Sequence, residues 1–271
     1  MNDVLDDIAR IDKSGMLKSL LGFPRVCQDA YETALKRDLS SIDLGKIQHL
    51  LFCGIGGSAI SMDLIHTCLW RHVKIPIHVN TDYSIPGFVN KHTLCFVSSY
   101  SGNTEEVLYN FRDIQKTKAQ CIVFTASGKL KQYAEKERLL VFESPSGLLP
   151  RYSLGSVFFM MLGILRQCKL IDDQTLSLKA TWEVLDFLKT KILAPEVDEQ
   201  NNIAKQIAKK ITGKFPIVYG PKAETEAVIH RWRAQFAENS KALSSSNYFP
   251  EISHNEIMGW QKLRIPKEYL S

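Results

Sequence analysis

The sequence predicts an α/β protein built on a parallel sheet, and three observations carry that reading. Short apolar runs near residues 50–55, 75–79, 93–98, 121–125 and 139–142 alternate with helical patterns. The runs are continuously apolar rather than alternating, which indicates strands buried on both faces. Two turns rich in small and hydroxyl residues, Gly54-Ile55-Gly56-Gly57-Ser58 and Ser99-Tyr100-Ser101-Gly102-Asn103-Thr104, each follow such a run and precede a helix.

Taken in order, the first fifty residues read as helical, with Pro24 starting a helix and Ala30 to Leu39 amphipathic. Leu50 to Ile55 is a strand. Ser58 to Trp70 is a helix whose Ala59, Met62, Ile65 and Leu69 share one apolar face. Ile75 to Val79 and Thr93 to Ser98 are strands, and Thr104 to Lys118 a helix. Cys121 to Thr125, Lys129 to Lys136 and Leu139 to Phe142 continue the alternation as strand, helix and strand. Ser144 to Pro150 is a loop before a strongly apolar helix, Ser153 to Gln167. Asp172 to Ile211 holds two more helices broken at Ala194-Pro195. The pattern then restarts with a strand at Phe215 to Tyr219, a Gly220-Pro221 turn and a helix from Ala223 to about Lys241, and a Lys/Arg-containing tail follows Trp260. The expected organisation is N-terminal helices (1–48), a first α/β domain (49–168), connecting helices (169–212) and an incomplete second domain of the same kind (213–271).

Composition narrows the function classes. At 271 residues and 45% hydrophobic, the chain can bury a full core. No stretch approaches the roughly 20 apolar residues of a membrane span; the longest, Ser153 to Leu165, is flanked by Arg151 and Arg166. The acidic N-terminus lacks the basic-then-apolar order of a secretory signal, so a cytoplasmic protein without membrane attachment is expected. Six scattered cysteines without a C-x-x-C pair read as reduced, structural thiols rather than disulfides or metal ligands. The net charge of +5 is mild, with no basic run interleaved with aromatics, so nucleic acid is not an expected partner.

The two turns suit an anion, because the first N–H groups of a helix are unpaired and its dipole is positive there. Gly54, Gly56 and Ala59 also satisfy a pattern found in dinucleotide-binding folds, with Asp82 near the end of the next strand, and a purely structural turn would need glycines as well. The second turn favours a phosphomonoester: Ser99, Ser101 and Thr104 place three hydroxyls around Gly102 and Asn103, more than capping by Ser101 or Asn103 requires. Arg151 stands at a helix start, which opposes the dipole unless it faces negative charge or a surface ion pair. Glu238 and His254 read by themselves as a solvated helix residue and a loop histidine, although a carboxylate and an imidazole are what proton-shuffling sugar chemistry needs.

Together these motifs resemble the bifunctional phosphoglucose/phosphomannose isomerase family, whose members contain two sugar isomerase (SIS) domains, each a parallel sheet between helical layers. Gly54–Ala59 and Ser99–Glu106 are general to SIS domains. Pro150-Arg151, Glu238-Asn239 and Pro250-Glu251 followed by His254-Asn255-Glu256 are more specific. The resemblance implies interconversion of glucose 6-phosphate and mannose 6-phosphate with fructose 6-phosphate through a cis-enediolate. It implies Ser99, Ser101 and Thr104 on the phosphate, Gly57 and Ser58 along the sugar, His254 opening the ring, Glu238 moving the C1/C2 proton and Arg151 steadying the enediolate. It implies no metal or redox cofactor, and a homodimer in which the neighbouring subunit supplies the histidine. The family continues through a longer second domain, so this chain reads as shortened, its strand at 215–219 lacking parallel neighbours. A non-catalytic phosphosugar-binding protein is the alternative.

Overall fold

A ladder of phenylalanines runs across the centre of the fold. The computed structural model describes residues 2–145, 147, 149–261 and 266, and divides into two units, Arg25–Asp173 and Met1–Pro24 with Gln174–Ser271. Of the expected tail after Trp260, everything but Gln261 and Pro266 lies outside the described residues, as do residues 146 and 148 of the expected 144–150 loop.

The helices that open the chain are α1 (Asn2–Ile11) and α2 (Met16–Lys36). Asp12 starts α2 by accepting from the backbone N–H groups of Met16 and Leu17 at 2.7 and 2.8 Å. Pro24, expected to start a helix, instead lies inside α2. Its ring supplies no N–H for the Leu20 carbonyl, and the boundary between the two units falls there.

The 25–173 unit is the predicted α/β layer fold. Its strands are β1 (His49–Cys53), β2 (Ile77–Asn80), β3 (Thr93–Ser98), β4 (Gln120–Thr125) and β5 (Leu140–Glu143), all parallel in the order β2-β1-β3-β4-β5. Helices α3 (Ala59–Leu69), α4 (Glu105–Lys116), α5 (Gly128–Lys136) and α6 (Leu154–Gln167) complete it. Every residue of β3 is buried, which is why its apolar run is unbroken.

One sheet face carries Leu51, Cys53, Cys95, Val97, Cys121 and Val123 against Val107, Phe111 and Ile114 of α4 and Leu130 and Ala134 of α5. Alternation along the strands puts the ladder on the other face. Phe52, Phe96, Phe124 and Phe142 follow one another with ring centroids 5.0, 6.1 and 5.5 Å apart. The end of α2 lies over this face, with the Arg37 guanidinium 6.0 Å from the Phe142 ring. It also joins α6, where Arg166 donates to the Tyr31 hydroxyl at 3.0 Å.

In the other unit, α7 (Thr175–Phe187) and α8 (Ile203–Ile211) precede a two-stranded sheet. Strand β6 (Ile217–Pro221) runs two residues further than the sequence predicts, taking in Gly220 and Pro221. Helix α9 (Lys222–Gln235) follows and ends in a π-helical turn, Phe236–Ser240. Strand β7 (Ser245–Phe249) then pairs in parallel with β6, and α10 (Ile257–Gln261) is the last described helix. The expectation that the 215–219 strand lacks a parallel neighbour is therefore corrected on one edge: β7 supplies the partner. Its Ser-Ser-Asn-Tyr-Phe composition is too polar to signal a strand by pattern. Among the described residues, no helix is long and apolar enough to cross a membrane.

Candidate functional site

Strand order brings the two hydroxyl-rich turns together. They leave the carboxyl ends of β1 and β3, which are adjacent parallel strands. Chain connections depart in opposite directions at this point, the position where open α/β sheets form their ligand crevice.

The second turn is held together by its own hydrogen bonds. Ser99 is buried and its hydroxyl lies 2.7 Å from that of Thr104, while the Gly102 N–H donates to Ser99 Oγ at 3.1 Å. The Asn103 N–H donates to Ser101 Oγ at 3.2 Å, and Ser101 is exposed. Thr104 is the residue before α4, with extended backbone angles, and no side chain caps the helix. This disfavours the reading in which Ser101 or Asn103 serves merely as a cap, and it leaves the N–H groups of the first turn of α4 without a side-chain acceptor.

The loop before α5 braces this turn. Ala126 and Leu130 N–H groups donate to the Tyr100 and Gly102 carbonyls at 3.0 and 2.9 Å, and the Lys129 N–H donates to Asn103 Oδ1 at 3.2 Å. Gly102 sits at φ +66°, and a β-carbon there would stand 1.8 Å from the Ser127 carbonyl oxygen. Only glycine meets both demands.

The first turn is closed by a third segment. Ser58 is buried, and its N–H donates to the Ile55 carbonyl at 3.2 Å. Gly57 packs directly on the backbone of the 3-10 turn Pro150–Tyr152, which carries Arg151. Ser153 Oγ donates to the Pro150 carbonyl at 2.7 Å and Ser61 Oγ to the Leu154 carbonyl at 3.1 Å, tying that turn and the start of α6 to α3. The Arg151 guanidinium lies 5.5 Å from the centre of the Tyr152 ring. Gly57, Ser58, Ser99, Ser101, Thr104 and Arg151 thus all belong to one unit, on elements grouped around the β1/β3 junction.

A buried amide pair supports the rim. Asn80, at the end of β2, donates to Asn110 Oδ1 of α4 at 2.7 Å, and Asn110 donates to the Asp82 and Glu106 carbonyls at 2.6 Å each. Asp82 itself accepts from the Tyr83 N–H at 2.6 Å. Sequence reasoning missed this pair; an asparagine inside an amphipathic helix gives no local sign of its partner.

Glu238 and His254 belong to the other unit. Glu238 is half-buried within the π-helical turn that ends α9, a distortion frequent at functional positions. His254 closes the 3-10 turn Glu251–His254, which follows β7, and is exposed. One residue therefore precedes the amino end of β7 and the other follows its carboxyl end. The five-residue strand between them extends over about 13 Å at 3.3 Å per step.

Comparison with known proteins follows the same pattern. A family model described as the bacterial phospho-glucose isomerase C-terminal SIS domain matches residues 200–270. A bifunctional phosphoglucose/phosphomannose isomerase of Caldicellulosiruptor bescii is 38% identical over 255 residues, covering 94% of this chain and 74% of that protein. The protein of the same name from Aquifex aeolicus is 35% identical over 230 residues, 84% of this chain and 67% of its own length. Among solved structures, the C-terminal domain of glucosamine-fructose-6-phosphate aminotransferase from Francisella tularensis aligns with a TM-score of 0.70 at 15% identity, covering 92% of this chain and 73% of that one. A hypothetical protein from Thermus thermophilus aligns with a TM-score of 0.69 at 14% identity, covering 94% and 65% of the two chains. At such identities the structural likeness establishes the α/β fold.

Proposed function

The chain belongs to the bifunctional phosphoglucose/phosphomannose isomerase family, and from that premise we propose that it is an aldose–ketose isomerase interconverting glucose 6-phosphate and mannose 6-phosphate with fructose 6-phosphate. The observation that carries this reading is the meeting of the two turns at the carboxyl ends of β1 and β3.

The phosphate sits on the second turn. Ser101 and Thr104 hydroxyls, the uncapped N–H groups of α4 and the helix dipole converge on it, and Ser99 fixes the Thr104 hydroxyl from below. Gly57 and Ser58 line the sugar. His254 moves a proton from O1 to O5 as the C1–O5 bond breaks, giving the open-chain aldehyde. Glu238 removes the C2 proton, the electron pair forms the C1–C2 double bond, and the negative charge settles on oxygen as a cis-enediolate. Arg151 steadies that charge. Transfer of the O2 proton to O1 makes C2 the ketone carbon as the abstracted proton returns to C1, and fructose 6-phosphate forms. Rotation of the intermediate exposes either face of C2, so the reverse reaction gives glucose or mannose 6-phosphate.

Glu238 precedes β7 and His254 follows it, and this separation along the chain supports a homodimer in which a second copy supplies His254. Six free cysteines, five of them buried, support a reducing, cytoplasmic setting. The test is isomerisation of fructose 6-phosphate by the purified chain, with both aldose products quantified. Formation of both, abolished in Glu238→Gln while 5-phosphoarabinonate still binds within a few-fold, is expected. Near-normal turnover by that variant would remove Glu238 as the base.

A further inference from the structure

The carboxylate of Glu256 bridges the two strands of the small sheet. Tyr219 on β6 and Asn247 on β7 are direct partners in the parallel register. The Tyr219 hydroxyl donates to Glu256 Oε1, and Asn247 Nδ2 donates to Glu256 Oε2 at 2.5 Å. Trp260 Nε1 donates to the Tyr219 oxygen at 3.2 Å, with the two rings edge-to-face at 6.2 Å. Burial first, and then the Glu256 carboxylate, push the Tyr219 hydroxyl above its ordinary value, so it stays a donor at neutral pH.

Glu256 lies two residues beyond His254. At the other end of the intervening turn, Ile252 is 3% exposed, and the Asn255 amide donates to Glu251 Oε1 at 2.6 Å. The turn is therefore pinned on both sides of an exposed histidine.

We propose that Glu256 is a positioning residue for the isomerase reaction: by clamping Tyr219 and Asn247 it fixes the turn that presents His254. The inference rests on the ring-opening role assigned to His254 above. Each carboxylate oxygen serves a different strand, so an uncharged amide, with only one acceptor oxygen, cannot make both contacts in the same way. A misplacement of His254 on the ångström scale is enough to lose much of its rate contribution.

Ring opening can be read apart from isomerisation by magnetisation exchange between the α and β anomers of glucose 6-phosphate. Glu256→Gln is expected to slow enzyme-catalysed anomerisation about ten- to a hundredfold. In a His254→Gln background the same substitution should add nothing. Tyr219→Phe, which removes one arm and keeps the ring, should give a smaller loss of the anomerisation rate. Amide exchange across residues 251–256 should quicken in Glu256→Gln, and this measurement also serves where activity is low. Full anomerisation by Glu256→Gln beside a slow His254→Gln, or multiplicative losses in the double variant, would overturn the tether alone. A His254→Gln protein that anomerises at the parent rate would remove the ring-opening assignment and the tether together.

Discussion

A β-carbon on Gly57 would stand 2.9 Å from both the carbonyl carbon and the carbonyl oxygen of Pro150, and 3.1 Å from the Arg151 nitrogen. The obstacle is main chain, which cannot rotate aside as a side chain can. Gly57→Ala should therefore push the 150–152 turn away from the β1 loop and cost about 1–3 kcal/mol of stability. If Arg151 steadies the enediolate, turnover should fall at least about tenfold while inorganic phosphate binds nearly as before. Steady-state kinetics beside calorimetric titration would check this; equal losses in both would place the defect in the phosphate site instead.

Gly102 meets two constraints at once, a left-handed backbone at φ +66° and the Ser127 carbonyl in the space a β-carbon would fill. Gly102→Ala should destabilise the fold by about 2–5 kcal/mol, summing left-handed strain and overpacking. A thermal melt decides it. An unchanged midpoint would mean that the brace between the Ser99 turn and the loop before α5 yields easily.

Ser101→Ala with Thr104→Ala removes two hydroxyls from the phosphate turn and leaves its backbone bracing through Ala126 and Leu130 in place. Each lost bond to a charged group is worth about 1.5–3 kcal/mol, so 5-phosphoarabinonate should bind at least about tenfold more weakly. Inorganic phosphate should weaken alongside it. Unchanged affinity for both would move the phosphate elsewhere.

Thiol reactivity should separate one cysteine from five. Burial pushes the Cys27 and Cys53 thiols up to about 12 and Cys168 to about 11, and holds Cys95 and Cys121 well above the ordinary range. At pH 8 a thiol near 12 is ionised to only about one part in ten thousand, and the thiolate is the reactive form. Cys68 is raised too, but it alone is exposed. A bimane reagent at pH 8 should label Cys68 first, and its rate should climb with pH while the others wait for unfolding. Early labelling of Cys53 or Cys95 would contradict the packing of the sheet.

The sequence by itself determined the parallel α/β class, because strands buried on both faces must be continuously apolar. It also marked both turns, because small and hydroxyl residues at strand-to-helix junctions have few other uses. Glu238 and His254 carried no such local sign, and only their resemblance to a family singled them out. Tertiary structure decided the rest. Placing β1 beside β3 is a matter of crossover topology, which no local pattern encodes, and it is what makes two turns forty residues apart into one crevice. β7 was illegible because a short polar strand is stabilised by its pairing with β6 and not by its own composition. The Gly57–Pro150 contact, the Asn80–Asn110 pair and the Tyr219–Glu256 bond join residues distant in the chain, and such contacts are fixed by packing and donor–acceptor geometry that exist only once the chain has folded.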